Sequence, residues 1–152
     1  KSNFIVRPDD FLIPQSSTDV HGVTLREAEI HGHDLEFVLE KLSLDLNRSL
    51  FIIGHNVKYD SDVLSVEYLR KGQLNMMLGT HQLCTMTSTV NVCKIAGPHG
   101  YQWPSLQELH YKLFGHSFEK AHDALNDVQA TKNCFFELIT RGDMSFNPSP
   151  CD

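Results

Sequence analysis

Two carboxylates sit where a chain could put them to chemical use. Asp60 closes the polar run His55-Asn56-Val57-Lys58-Tyr59-Asp60, directly after the apolar run Leu50-Phe51-Ile52-Ile53 and Gly54. Asp127 lies one turn inside the last helical stretch, and His122 stands five residues before it, where that helix starts. A carboxylate at the C-terminal edge of a sheet and another on a helix start can converge on hard divalent cations, which prefer oxygen ligands. A histidine at the mouth of such a site has the right pKa to take a proton from water. Each residue also has a bland reading: an Asp after a strand commonly serves a turn or a helix cap, and a His at a helix start is commonly structural. A second possibility is a zinc-binding interaction module built on His81, Cys84, Cys93 and His99. Its first pair has a usable gap, but no second CxxC- or HxxxH-like pair follows, and buried or loop residues are the better reading.

The elements that must position these side chains follow from apolar spacing and turn chemistry. Residues 3–7 read as a strand stopped at Pro8, followed by turn residues to Pro14 and a polar, loop-like Ser16 to Gly22. Thr24 opens a short helix, Leu25 to Ile30, stopped near Gly32. Asp34 is a suitable N-cap for the next helix, in which Leu35, Val38, Leu39, Leu42 and Leu46 recur at core-packing spacing. The run Leu50 to Ile53 predicts a central strand buried on both faces, with His55 to Asp60 at its C-terminal end. A helix from about Ser61 to Lys71 ends at Gly72, Leu74 to Leu78 is a candidate strand, and Thr80 to Val92 is a Thr-rich helix or irregular segment. After a turn-rich Gly97 to Pro104, the capping box Ser105-Leu106-Gln107-Glu108 starts a helix through about Phe114, closed by Gly115. The final helix runs from about His122 to Arg141, with Ala124, Val128, Thr131, Phe135 and Leu138 on one face and Gly142 as its stop.

The totals narrow the function classes. A chain of 152 residues with 41% apolar and 21% charged residues suits one ordinary globular domain, expected over 1–142 with a tail at 143–152. No apolar run reaches bilayer length and no secretory signal opens the chain, so the expectation is a soluble, cytoplasmic protein with no membrane partner and with free thiols at Cys84, Cys93, Cys134 and Cys151. A net charge of −6 argues against a protein that coats long nucleic acids, but not against an enzyme gripping one strand end with the help of bound cations.

Gly54-His55-Asn56-Val57-Lys58-Tyr59-Asp60 resembles the second motif of the DEDD superfamily of 3′→5′ exonucleases. His122-Asp123-Ala124-Leu125-Asn126-Asp127, followed by Ala130-Thr131, resembles the third motif of its His-containing, DnaQ-like subgroup, His-x-Ala-x-x-Asp. The sister subgroup puts Tyr four residues before the Asp, where this chain has Asp123. Val6-Arg7-Pro8 and His21-Gly22-Val23-Thr24 resemble the segments between the family's first and second motifs, so the likeness runs from about Asn3 to Gly142.

The resemblance implies an α/β, RNase H-like mixed sheet flanked by helices. It implies hydrolysis of the 3′-terminal phosphodiester of DNA or RNA, with release of nucleoside monophosphates and two Mg2+ or Mn2+ ions. Carried over, Asp127 and Asp60 are metal ligands, His122 is the general base, and His55, Asn56 and Tyr59 shape the pocket for the terminal nucleotide, Tyr59 with core packing as its alternative role. The substrate implied is a single-stranded 3′ end, with DNA slightly favoured over RNA; a polymerase partner or self-association is left open. The family's first motif, Asp-x-Glu on its first strand, has no counterpart before Asn3, and Asp34-Leu35-Glu36 reads as helix capping. The expectation is therefore that roughly 25 residues in two strands lie outside this sequence or come from a partner chain. The alternative function is a non-catalytic relative that binds nucleic acid or protein through the same fold.

Overall fold

The computed structural model describes residues 2–9, 11–119, 121 and 123–145. It contains helices α1 (Gln15–His21), α2 (Leu25–His31) and α3 (Leu35–Leu46), strand β1 (Phe51–Gly54), α4 (Val57–Arg70) and β2 (His81–Cys84). Short helices α5 (Thr85–Ser88) and α6 (Val90–Cys93), the ladder β3 (Ala96–Gly97) with β4 (Gly100–Tyr101), α7 (Leu106–Phe114) and α8 (Ala124–Arg141) complete it. The architecture is mixed α/β. β1 and β2 pair in parallel, Phe51 with His81 through Gly54 with Cys84, across the α4 connection. β3 and β4 pair antiparallel in a separate ladder, so the described residues hold two small sheets rather than one mixed sheet.

Local chemistry sets most helix limits. Thr24 and Ser105 each close a capping box, with the hydroxyl accepting from the N–H three residues on and the glutamate returning to the cap N–H (Glu27 at 2.9 Å, Glu108 at 2.7 Å). Gly115 and Gly142 take positive φ (76° and 74°) and end α7 and α8 as expected. α1 replaces the loop expected at Ser16 to Gly22. It buries no side chain, so it left no apolar period to read; Gln15 donating to Asp19 at 2.8 Å and the Gly22 N–H on the Thr18 carbonyl hold it.

Two cores support the fold. In one, Leu35, Leu39 and Leu46 of α3 meet Tyr68 of α4 and Met77. The Tyr68 hydroxyl donates to the Leu39 carbonyl at 3.2 Å and accepts from Ser43 Oγ at 2.8 Å, so this buried polar atom is satisfied twice. In the other, Leu109 and Leu113 of α7 pack on Cys134 and Leu138 of α8. Arg141 donates to the Leu113 carbonyl and locks the ends of these two helices.

Several expectations are corrected. The strand at residues 3–7 reduces to one parallel bridge, Val6 with His33, because its partner segment turns into α3 two residues later. Asp34 precedes α3 but makes no side-chain cap bond; its carboxylate takes Arg7 at 3.1 Å instead, and Glu36 faces Lys71 at 3.7 Å. β1 is half-buried along its length, not buried on both faces. α4 begins at Val57, four residues before the expected Ser61, and therefore takes Asp60 into its first turn. Leu74 to Leu78 is a turn, not a strand, closed by Asn75 Oδ1 accepting the Met77 N–H (3.0 Å) and by Thr80 donating to the Met76 carbonyl (3.1 Å). The strand lies just after it, at β2, inside the stretch read as helical or irregular. No helix among the described residues is long and apolar enough to cross a membrane.

Candidate active site at the end of strand β1

The turn from β1 into α4 is tight for reasons visible in its residues. A Cβ on Gly54 would stand 2.9 Å from the Val57 Cβ, a contact that no real side chain tolerates. Asn56 then adopts a left-handed conformation (φ 65°), which Asn reaches more readily than most residues, and the helix starts at the next residue. Asp60 falls in the first turn of α4, where the helix dipole favours negative charge. Asp127 occupies the equivalent place in α8, behind Asp123, whose side chain caps the helix by accepting the Asn126 N–H at 3.0 Å. α8 also contacts β1, which brings the two helix starts to the same strand end.

Asp60 and Asp127 line one cavity of about 1030 Å3, together with His55 and Asn56. Its walls are otherwise mostly apolar, with Leu42, Leu46, Ile52, Ile53 and Leu64 on one side and Val128, Phe135 and Phe136 on another. Burial pushes the Asp60 carboxyl above its ordinary range, only partly offset by its own backbone N–H. Such a desolvated carboxylate is stabilised by a cation placed beside it.

His55 is gripped from two sides. Its Nε2 lies 3.0 Å from the Pro104 carbonyl and its Nδ1 3.0 Å from Thr85 Oγ1. A carbonyl can only accept, so Nε2 carries the proton and donates. Burial lowers the His55 pKa, against the raising effects of the Pro104 carbonyl and the negative charge of Asp127, and so favours the neutral ring. In that form Nδ1 can only accept, so the single Thr85 hydroxyl hydrogen is shared between Nδ1 at 3.0 Å and the Gly54 carbonyl, to which Thr85 donates at 3.2 Å. Thr85 is fully buried, and Thr89 donates to its carbonyl at 2.6 Å.

Of the six residues singled out from the sequence, four are thus brought together: His55, Asn56, Asp60 and Asp127. Tyr59 is not among the cavity's lining residues, and at 66% exposed it does not pack in the core either. His122 lies outside the described residues. Val128, expected on the core face of α8, is 63% exposed and lines the cavity, because the first turns of α8 face the site and core packing starts at Ala130. Thr85 and Pro104, which hold His55, were missed. Their roles depend on contacts across 30 and 49 residues of chain, for which a single sequence carries no signal.

Cys84 ends β2 close by. Burial would raise its thiol pKa, but the N–H and hydroxyl of Thr87 and the N–H groups of Val57 and Asn56 outweigh that and hold it below its ordinary value. Cys84, Cys93 and Cys134 are free thiols, with burial pushing Cys134 up to about 12. Among the described residues no group of three or more His, Cys, Asp or Glu is placed to hold a metal ion, so His81, Cys84, Cys93 and His99 do not assemble into a zinc site.

Comparison with curated proteins gives no match. A family model does match: that of RNase_T, an exonuclease family, over residues 1–135. The match takes in both halves of the cavity, the β1–α4 turn with Asp60 and the α8 start with Asp127. This chain belongs to the RNase_T exonuclease family.

Proposed function

We propose that the cavity at the end of β1 is the active site of a 3′→5′ exonuclease of the His-containing DEDD subgroup, on an RNase H-like domain over 1–142. One observation carries this reading: Asp60 and Asp127, each in the first turn of its helix, line the same cavity with His55 at the strand's end. The donors present fit hard divalent cations, since they are carboxylate oxygens, and Asp60 is a carboxylate that burial alone disfavours. Asp60 and Asp127 would hold Mg2+ or Mn2+, which when bound polarises a phosphate and lowers the pKa of an attacking water. They supply part of a two-ion ligand set.

The chain's own residues do the rest. His122 takes the proton from the attacking water, having the only side-chain type whose ordinary pKa suits that task near neutrality. His55 stays neutral and fixed by Pro104 and Thr85, so it shapes the pocket without competing for the proton. Asn56, pinned in its left-handed conformation, presents its amide beside the terminal nucleotide, and Tyr59, exposed one residue before Asp60, contacts that nucleotide from outside the cavity. The mostly apolar walls suit a terminal base and sugar, and the acidic end suits the phosphate once cations are present.

Digestion of 3′-labelled single-stranded DNA and RNA in Mg2+ tests the reading. The expected products are nucleoside monophosphates released from the labelled end, with loss of activity in EDTA. His122→Ala should slow hydrolysis by roughly 10²–10⁴-fold. A variant as fast as its parent removes His122 from the chemistry, and products longer than one nucleotide remove the exonuclease assignment.

A further inference from the structure

The β3–β4 ladder leads directly into the cavity wall. Its pairing extends by one bond, from the Gln102 N–H to the Ile95 carbonyl at 2.9 Å. Between Tyr101 and α7 the chain forms no helix, and Trp103, as the residue before Pro104, is steered towards the extended region. Gln102 lies against Gly97, and in an extended segment its neighbours Tyr101 and Trp103 point to the opposite side. Both rings are open to solvent, Tyr101 at 54% and Trp103 at 65% exposed. Residues two apart in a strand are separated by roughly 6.6 Å, about twice the 3.4 Å step between stacked bases, so the two rings leave room for one base between them.

Two further observations indicate what these rings meet. The residue after Trp103 is Pro104, whose carbonyl accepts from His55 and which lines the cavity with Ser105, Asp60 and Asp127. The aromatic pair is therefore continuous with the proposed active site. Charge points the same way. Between Glu67 and Glu108 the sequence has no Asp or Glu, although the whole chain has 19; Lys94 falls inside that stretch, as do Arg70 and Lys71, which pair with Glu67 and with Asp9 and Glu36. In a chain of net charge −6, the run from residue 72 to residue 107 thus adds no carboxylate of its own beside the two rings.

We propose that Tyr101 and Trp103 form a stacking platform for an unpaired base of a single-stranded nucleic acid whose 3′ end enters the Asp60–Asp127 cavity. The platform rests on the nuclease reading of that cavity and adds to it a requirement for unpaired bases upstream of the scissile bond. Stacking tolerates any base, because every base has a π-face, so the platform selects for strandedness and length rather than sequence.

Trp103 is the only tryptophan in the chain, so its fluorescence reports on the platform alone. Phosphorothioate-linked oligothymidylates, which resist cutting, would be titrated while their affinity is measured independently by polarisation of an end label. The expected result is saturable quenching of Trp103 with the same midpoint as the polarisation curve, and none with a dinucleotide too short to reach. Trp103→Ala and Tyr101→Ala should each weaken binding by roughly 5- to 100-fold, the range of one base–aromatic stack, while Trp103→Phe stays within a few-fold of the parent. Both residues are exposed, and circular dichroism of each variant checks that the fold is kept. An oligonucleotide that binds with Trp103 fluorescence unmoved and with equal affinity for Trp103→Ala overturns the platform and leaves the nuclease reading standing. Failure of every oligonucleotide to bind overturns both.

Discussion

The α7–α8 pair and the β1 side of the molecule are built to different standards. α7 starts on a complete capping box and ends on a left-handed glycine, and its Leu109 packs against the fully buried Cys134 and Leu138 of α8. β1 pairs, among the described residues, with β2 alone, stays half-buried, and borders a cavity of about 1030 Å3 whose walls include Ile52, Ile53 and Leu64. Close packing and satisfied ends give stability; an open apolar wall with a desolvated carboxylate, Asp60, leaves room for a ligand at the expense of stability. The α7–α8 pair is thus the scaffold that holds Asp127, while the β1 side borders the cavity proposed as the active site.

Truncation in each region is the sharpest way to break that contrast. Leu138→Ala should cost about 3–5 kcal/mol, because Leu138 has no exposed surface and its neighbours are fixed by two helices. Leu64→Ala, on the cavity wall, should cost only about 1–2 kcal/mol, since part of its surface already faces open space. Urea unfolding of the two variants checks this, and equal losses would mean that the two regions are packed alike. Ser105→Ala comes next. Removing the hydroxyl that accepts the Glu108 N–H should cost about 1 kcal/mol, measured the same way, and no loss would show that α7 is held by its packing alone.

The smallest effect has the most informative sign. Burial raises the folded-state pKa of Asp60 above its unfolded value, so the folded protein resists ionising it. Below the unfolded pKa both states are protonated and nothing is lost; as pH rises through the carboxylate range the unfolded state ionises first and stability falls. Asp60→Asn should therefore be slightly more stable than the parent at neutral pH, with the difference vanishing at acid pH. Thermal melts of both proteins across that range check it, and a variant less stable than the parent at neutral pH would reverse the assignment of Asp60 as a strained carboxylate.

The sequence was legible where local rules suffice. Thr24 and Ser105 announced their helices, Gly115 and Gly142 their ends, and the leucines of α3 their common face. The motif around Asp60 and the helix start at Asp127 marked most of the cavity's polar residues. What stayed hidden depended on distant parts of the chain. Arg7 drew Asp34 away from its cap, β2 formed from His-Gln-Leu-Cys because β1 offered it an edge, and α1 formed without burying a residue. The early start of α4 was hidden for another reason: the run His55 to Asp60 looks like a loop until Asn56 makes its left-handed turn and the rest coils into helix.

The His55 ring has one more consequence, for the order in which the protein assembles. Its two nitrogens tie together segments 30 and 49 residues apart, so both loops must close before the ring is satisfied. Closing loops of this length costs entropy that local helix formation does not, and the reward arrives only when β2 and the Pro104 segment are both in place. The expectation from loop length is that α7 and α8 pair early, whereas the contacts around His55 are completed late. His55 ring resonances should be among the last to reach native positions during refolding, and among the first to leave them when the molecule begins to open.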